Sequence, residues 1–144
     1  MYRVYDTQKK RWLKYDVYLT PNEDLYILEK PIFRKRNTLR QLSTERYVYH
    51  RDIGLTDKNG ILIYEGDIVK ANINEDKTIN TEVAYVEHIA SYVILDFKEG
   101  RYYSLGTEEC SHLEVVGNVF DTPELLGFEE EISDGKQPLQ ETEI

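Results

Sequence analysis

His50, His88, His112 and Cys110 are the side chains of this chain that could ligate a metal or act as a nucleophile with its base. Only Cys110 and His112 are close, two apart, a spacing that on a strand turns both side chains to one face. Two ligands fall short of the four that a structural zinc takes and the three that a catalytic zinc takes. A Cys-His pair also needs a third group to orient the base, and nothing in the sequence marks one. The acidic pairs Glu23-Asp24 and Glu108-Glu109 read as solvated turn residues. There is no glycine-rich phosphate loop, no Gly-x-Ser-x-Gly and no His-Glu-x-x-His. The sequence therefore predicts no catalytic residue, no metal ligand set and no cofactor, and a protein that is not an enzyme.

Binding chemistry is more concentrated. Lys30 to Arg51 carries Lys30, Arg34, Lys35, Arg36, Arg40, Arg46 and Arg51 against Glu45, with Phe33, Tyr47 and Tyr49 interleaved. Nucleic-acid surfaces place Arg and Lys on phosphates and aromatic rings under bases, so Lys30, Arg34, Lys35, Arg36 and Arg40 are the candidate contacts to nucleic acid or to a protein partner. The competing account is a solvated loop whose charge balances the rest of the chain. That balance is uneven: residues 1–54 hold 12 Lys/Arg and 7 Asp/Glu, whereas residues 55–144 hold 6 and 20, within a net charge of −9. So acidic a C-terminal half argues against a nucleic-acid surface spread over the whole protein. The basic half could equally meet the acidic half of another copy, as a homo-oligomer.

The elements that must position these residues are strands. Twelve Tyr and four Phe against a single Met favour sheet over helix. Tyr2 to Tyr5 reads as a strand, Trp12 to Leu19 alternates as its hairpin partner, and Leu25 to Leu28 follows the turn cluster Thr20 to Asp24. Thr38 with Gln41 three residues on resembles a capping box, and Leu39 and Leu42 are three apart, which predicts a helical turn or two. Tyr47 to His50 returns to strand. The organising stretch is Ile53 to Lys70: Asp57 to Gly60 is a tight-turn signal, Ile61 to Tyr64 a short strand, Glu65-Gly66 a second turn, and Asp67 to Ile73 a strand entering a barrel. Thr81 to His88, Tyr92 to Phe97 and Arg101 to Leu105 follow as strands. Thr107 to His112 is predicted as a turn, either open or a single 3₁₀ turn, and Glu114 to Phe120 as the last strand, with a bulge or close-packing point at Gly117. Five short strands, tight turns and a helical turn before the last give a mainly β fold. It is a C-terminal SH3-like small β-barrel with an N-terminal β-rich extension. The boundaries are 1–53 for the basic extension, 54–126 for the barrel and 127–144 for an acidic tail.

Two runs carry a family resemblance. GLTDKNGILIYEGDIV from Gly54 to Val69 and VVGNVFDTPELL from Val115 to Leu126, with the opening YRVYDTQKKRW, resemble the YopX family, small proteins of bacteriophages and prophages found mostly in Gram-positive bacteria. Its members carry a GLxDxNGxxIYEGD block and a VIGN-type strand followed by xPELL. Just before the block the family often has a Gln-Tyr-Thr-like run, where this chain has Arg51-Asp52-Ile53, so no role carries over to those positions. The resemblance implies an SH3-like barrel and a phage origin, and brings no mechanism, substrate or cofactor. The shared residues themselves read as structural: Gly60 and Gly66 serve turns, Asp57 and Asp67 bond nearby backbone amides, Gly117 lets a strand bend, and Pro123 opens a short final helix to Leu126.

The remaining expectations concern location and the tail. One cysteine allows no internal disulfide, no apolar run approaches the ~20 residues of a membrane helix, and the N-terminus lacks the apolar core of a signal peptide. The expected setting is the cytoplasm of a bacterial host, away from the membrane. The leading functional expectation is a non-catalytic interaction module for a host or phage protein, and the alternative a nucleic-acid-binding accessory protein. Residues 127–144 read as disordered by composition, unless contact with the basic segment of this chain or a neighbouring copy orders them. In that case deleting residues 128–144 weakens self-association.

Overall fold

Aromatic and β-branched residues at alternating positions put the chain into strands, and the computed structural model, which describes residues 1–29, 38–72, 77–131 and 142–143, is mainly β with curled sheets. Two compact units divide it, Met1–Arg51 and Asp52–Ile144. Strand β6 (Tyr47–Thr56) passes from one into the other. Among the described residues no helix is long and apolar enough to cross a membrane.

In the first unit, β1 (Tyr2–Asp6) lies antiparallel between β2 (Arg11–Trp12) and the Tyr47–Arg51 half of β6, with Tyr5 opposite both Trp12 and Val48. A second sheet orders β3 (Val17–Leu19), β4 (Leu25–Glu29) and β5 (Thr38–Leu42). Val4, Leu25, Ile27, Leu42 and Tyr47 form the buried core, with Leu13, Val17, Leu19 and Tyr49 packed against it. Each such apolar side chain contributes roughly 1.5–3 kcal/mol by leaving water. Two sequence expectations change here. The alternation from Trp12 to Leu19 is not one hairpin partner, because Arg11–Trp12 pairs with β1 while Val17–Leu19 pairs with β4. The Thr38–Gln41 capping pattern does not start a helix. A single turn cannot offset the cost of its own nucleation, whereas five residues in register with β4 place Leu42 in the core.

In the second unit, β7 (Leu62–Tyr64) pairs with β6, and a seven-stranded sheet is built from β8 (Asp67–Asn72), β9 (Lys77–Val86), β10 (Ser91–Asp96), β11 (Arg101–Ser104), β12 (Glu114–Asn118), β13 (Glu129–Glu131) and β14 (Thr142–Glu143). Its order is β12-β8-β9-β10-β11-β14, and β13 joins β9. Ten-residue β9 changes neighbours along one edge: Val83–Val86 pair with β10 and Lys77–Ile79 with β13, while Thr78–Glu82 pair with β8 on the other. Ile63, Val69, Ala71, Val83, Ile94, Tyr103, Leu105, Cys110 and Leu113 form the core, against which Ile53, Leu55 and Val115 pack. The stretch after Leu105 is a one-turn α-helix, α1 (Thr107–Cys110), rather than a 3₁₀ turn, with the Glu109 carboxylate accepting from the Gly106 N–H at 3.1 Å. Pro123–Leu125 forms the short 3₁₀ turn that follows β12.

Part of the tail is strand. Glu129–Glu131 is a strand on β9, and Thr142–Glu143 pairs with β11; the rest of it, residues 132–141 and 144, lies outside the described residues. The described pieces pair through their backbone within the sheet of their own unit.

Candidate binding groove and the turn block

The motif residues around Gly54 to Val69 hold backbone together. Gly60 and Gly66 sit at φ +77° and +82°, where only glycine is unstrained. Asp57 is buried, and its two carboxylate oxygens divide three donors: Oδ1 accepts from the Asn59 and Ile61 N–H at 2.8 and 2.9 Å, and Oδ2 from the Val115 N–H at 2.9 Å. The first two close the turn; the third ties it to β12, 58 residues away. Burial works to raise the Asp57 pKa, but the three amide donors, aided by Lys58, outweigh it and hold the carboxyl below its ordinary range. Asp67, also buried, accepts from the Tyr64 N–H at 2.8 Å across the Glu65-Gly66 turn.

The second motif is a close approach. A Cβ on Gly117 would lie 1.8 Å from the Thr122 Oγ1, and the β12–β8 register shifts between Val115 and Gly117. Asn118 then organises the following turn, its Oδ1 accepting from the Phe120 and Asp121 N–H at 3.0 and 2.9 Å.

Of the five basic candidates, Lys30, Arg34, Lys35 and Arg36 lie outside the described residues. Arg40, on β5, is bonded through Nε to the Glu29 carboxylate. Arg46 is a structural partner: its Nε and Nη2 donate to Asp6 Oδ1 and Oδ2 at 2.9 and 2.8 Å. Arg51 stands over the rings of Tyr2 and Tyr49, 5.8 Å from each centroid. Arg3 lies 4.6 Å over the Trp12 ring, and its Nη2 donates to His50 Nδ1 at 3.4 Å. Burial, then the Arg3 charge, lower the His50 pKa to about 4.

Cys110 and His112 are not on a strand: Cys110 ends the one-turn helix inside the core, while His112 is exposed beyond it. Burial, with Glu109 adding to it, pushes the Cys110 thiol up to about 11, away from the thiolate that would attack or ligate. Among the described residues no three of His, Cys, Asp and Glu are placed to share a metal.

What sequence reasoning missed is a groove in the second unit. It forms where β9 leaves β13 for β10, and encloses about 260 Å³ lined chiefly by Ile79, Asn80, Thr81, Leu95, Phe97 and Leu126. Local bonds set its walls. The Gly127 N–H donates to the Asn80 carbonyl and the Asn80 N–H to the Phe128 carbonyl, both at 2.8 Å, while the Thr81 hydroxyl donates to the Leu95 carbonyl. Large apolar side chains stand out at the groove and beside it: Phe97 is 74% exposed, Phe128 54% and Leu126 41%. Asn80 is buried, and among the described residues its Oδ1 has no hydrogen-bond partner. Glu129 stands between Lys77 and Lys98 at 3.8 and 3.9 Å, the outer limit of an ion pair. The volume lies under the roughly 300–1,000 Å³ of small-molecule pockets.

These features define a mainly β protein whose motif residues hold turns and whose open feature is an apolar groove. Residues 1–127 match the profile described as YopX protein, and the chain belongs to that family. The crystal structure of protein yopX from Bacillus subtilis is similar at a TM-score of 0.61 and 19% identity, over 87% of this chain and 96% of that one, a likeness of fold. Protein EF1440 from Enterococcus faecalis aligns at a TM-score of 0.49 and 22% identity, over 87% and 96% of the two chains. Among curated proteins no match is found.

Proposed function

We propose that this protein is a non-catalytic interaction module of a bacteriophage or prophage, acting in the host cytoplasm on a host or phage protein. Its C-terminal unit is an SH3-like small barrel in this reading, supported by antiparallel neighbours β8 to β11 joined by short connections and by the one-turn helix before β12. The observation that carries the function is the groove, with Phe97 and Leu126 held open to solvent beside Ile79 and Leu95. Exposed apolar clusters of this kind mark surfaces that meet another protein. The test is capture from host lysate by the tagged full chain, with and without nuclease, with proteins identified by mass spectrometry and retained nucleic acid quantified. A specific protein that survives nuclease supports the module. Nucleic acid retained at low salt and lost at high salt, with no nuclease-resistant protein, replaces it with a function for the basic segment.

A further inference from the structure

One edge of β9 has two neighbours, and they are held by different means. Residues 83–86 pair with β10, which carries the buried Val93 and Ile94, whereas residues 77–79 pair with β13, which is three glutamates. Glutamate is depleted in strands, and Gly127, Phe128 and Glu129 are all exposed, Phe128 over 54% of its surface. Backbone bonds therefore seat this segment. The Gly127 N–H donates to the Asn80 carbonyl and the Asn80 N–H to the Phe128 carbonyl, both at 2.8 Å, and three register pairs follow in β13. Net of the water they replace, such bonds contribute little each. The β9 side is built differently: Thr78, Ile79 and Asn80 are buried, and β8 pairs with them along the opposite edge. Lifting the tail leaves β9 on β8 with the backbone donors and acceptors of residues 77–80 bare, and a bare strand edge accepts another extended chain.

The tail also shows which chemistry this edge takes. Glu129 lies opposite Ile79, with its carboxylate 3.8 Å from the Lys77 Nζ and 3.9 Å from the Lys98 Nζ, so an acidic residue is accommodated at that register.

We propose that residues 77–80 of β9 form a strand-addition site for an extended acidic segment of the partner protein, and that residues 127–131 occupy it in cis as a displaceable strap. This rests on the interaction-module reading and adds how the partner is held. Main-chain pairing along β9 supplies the grip, and an acidic side chain at the Glu129 position supplies the preference. The partner meets an open edge only in those molecules whose strap has lifted, so its apparent affinity scales with that fraction.

The probe is a fluorescent peptide of residues 127–133, GFEEEIS, titrated by anisotropy into the full chain and two full-length variants whose folding is checked by heteronuclear NMR. Glu130→Pro removes a backbone donor from the strap and opens the edge. Thr78→Cys with Glu130→Cys, directly opposite in register, locks the strap by a disulfide when oxidised and releases it when reduced. The expected result is binding to Glu130→Pro about tenfold tighter than to the parent, no binding to the oxidised lock, and its return on reduction. The amide signals of residues 77–80 should shift, and the peptide GFKKKIS should bind about fivefold more weakly. A peptide that fails to bind folded Glu130→Pro, or binds the oxidised lock as it binds the parent, overturns the proposal and leaves the module reading standing. In host lysate, a nuclease-resistant partner kept by the reduced lock and lost by the oxidised one supports the proposal; one kept equally by both overturns the edge and not the module. Light scattering that shows a dimer when the lock is reduced and a monomer when it is oxidised overturns it in favour of strand exchange between two copies of this chain.

Discussion

Replacing Asp57 should loosen β12 from a turn that lies far from it in sequence. Its carboxylate takes the N–H groups of Asn59, Ile61 and Val115 at 2.8–2.9 Å in a buried position. A buried amide left without a partner costs about 1–3 kcal/mol. Asp57→Ala strands three of them, and with some water entering the space of the lost carboxylate the expected loss is about 3–5 kcal/mol. Asp57→Asn can keep its oxygen on Asn59 and Ile61 but must turn an NH₂ toward the Val115 N–H, so about 1–3 kcal/mol should be lost, most of it at β12. Urea unfolding gives the two totals. Amide hydrogen exchange locates them: in the Asp57→Asn variant the Val115 amide should lose protection while Asn59 and Ile61 largely keep theirs. The pH dependence has a sign as well. The folded-state pKa of Asp57 is lowered, so its contribution is complete above the unfolded value of about 3.9 and is lost as pH falls through the folded value; the alanine variant should lack this part of the acid sensitivity. An asparagine variant as stable as the parent, or one that loses protection at Asn59 and Ile61 before Val115, would refute the reasoning.

Gly117→Ala should cost about 1–3 kcal/mol by driving a methyl into Thr122, and Thr122→Ala in the same chain should recover part of it in urea unfolding. Asp6 is held below the ordinary carboxylate range first by the Arg46 guanidinium, against burial, with the Lys9 and Gln8 N–H groups helping. Its stabilisation is therefore present above pH ~4 and lost as the solution becomes more acidic, and Arg46→Gln should move acid unfolding to higher pH, read by Trp12 fluorescence in the same unit. The His50 ring should titrate by NMR near pH 4; because the unfolded ring takes its proton near pH 6.5, His50 favours folding above that value, and the benefit should fall away between pH 6.5 and 4. Deleting residues 128–144 removes β13 and β14, so hydrogen exchange should speed up along Lys77–Asn80 and Arg101–Tyr102, and unchanged protection there would contradict the strand pairing.

What was legible in the sequence was local. Asp57, Asn59 and Gly60 announce their turn because each acts within four residues, and Gly117 announces a bulge because a strand needs a reason to carry glycine. The bond from Asp57 to Val115 was not legible, since the same carboxylate would suit an isolated turn. Thr38 to Leu42 was misread for a related reason: a capping pattern and a strand pattern coincide over five residues, and pairing with β4 decides between them. The strand at Glu129–Glu131 was not legible because three glutamates in a row carry no strand propensity of their own; β9 supplies the backbone partners. The groove was invisible because its walls come from three stretches, around Ile79, Leu95 and Leu126, each ordinary alone. The available signal was Phe97 and Phe128, large aromatic residues placed in turn sequences where nothing local would bury them.

The most direct test joins the captured partner to the groove. A protein held by the tagged full chain after nuclease treatment is offered to the Leu126→Arg variant, whose fold is checked by heteronuclear NMR. The account predicts that the folded variant no longer retains the partner. A partner held equally by the folded variant would contradict it.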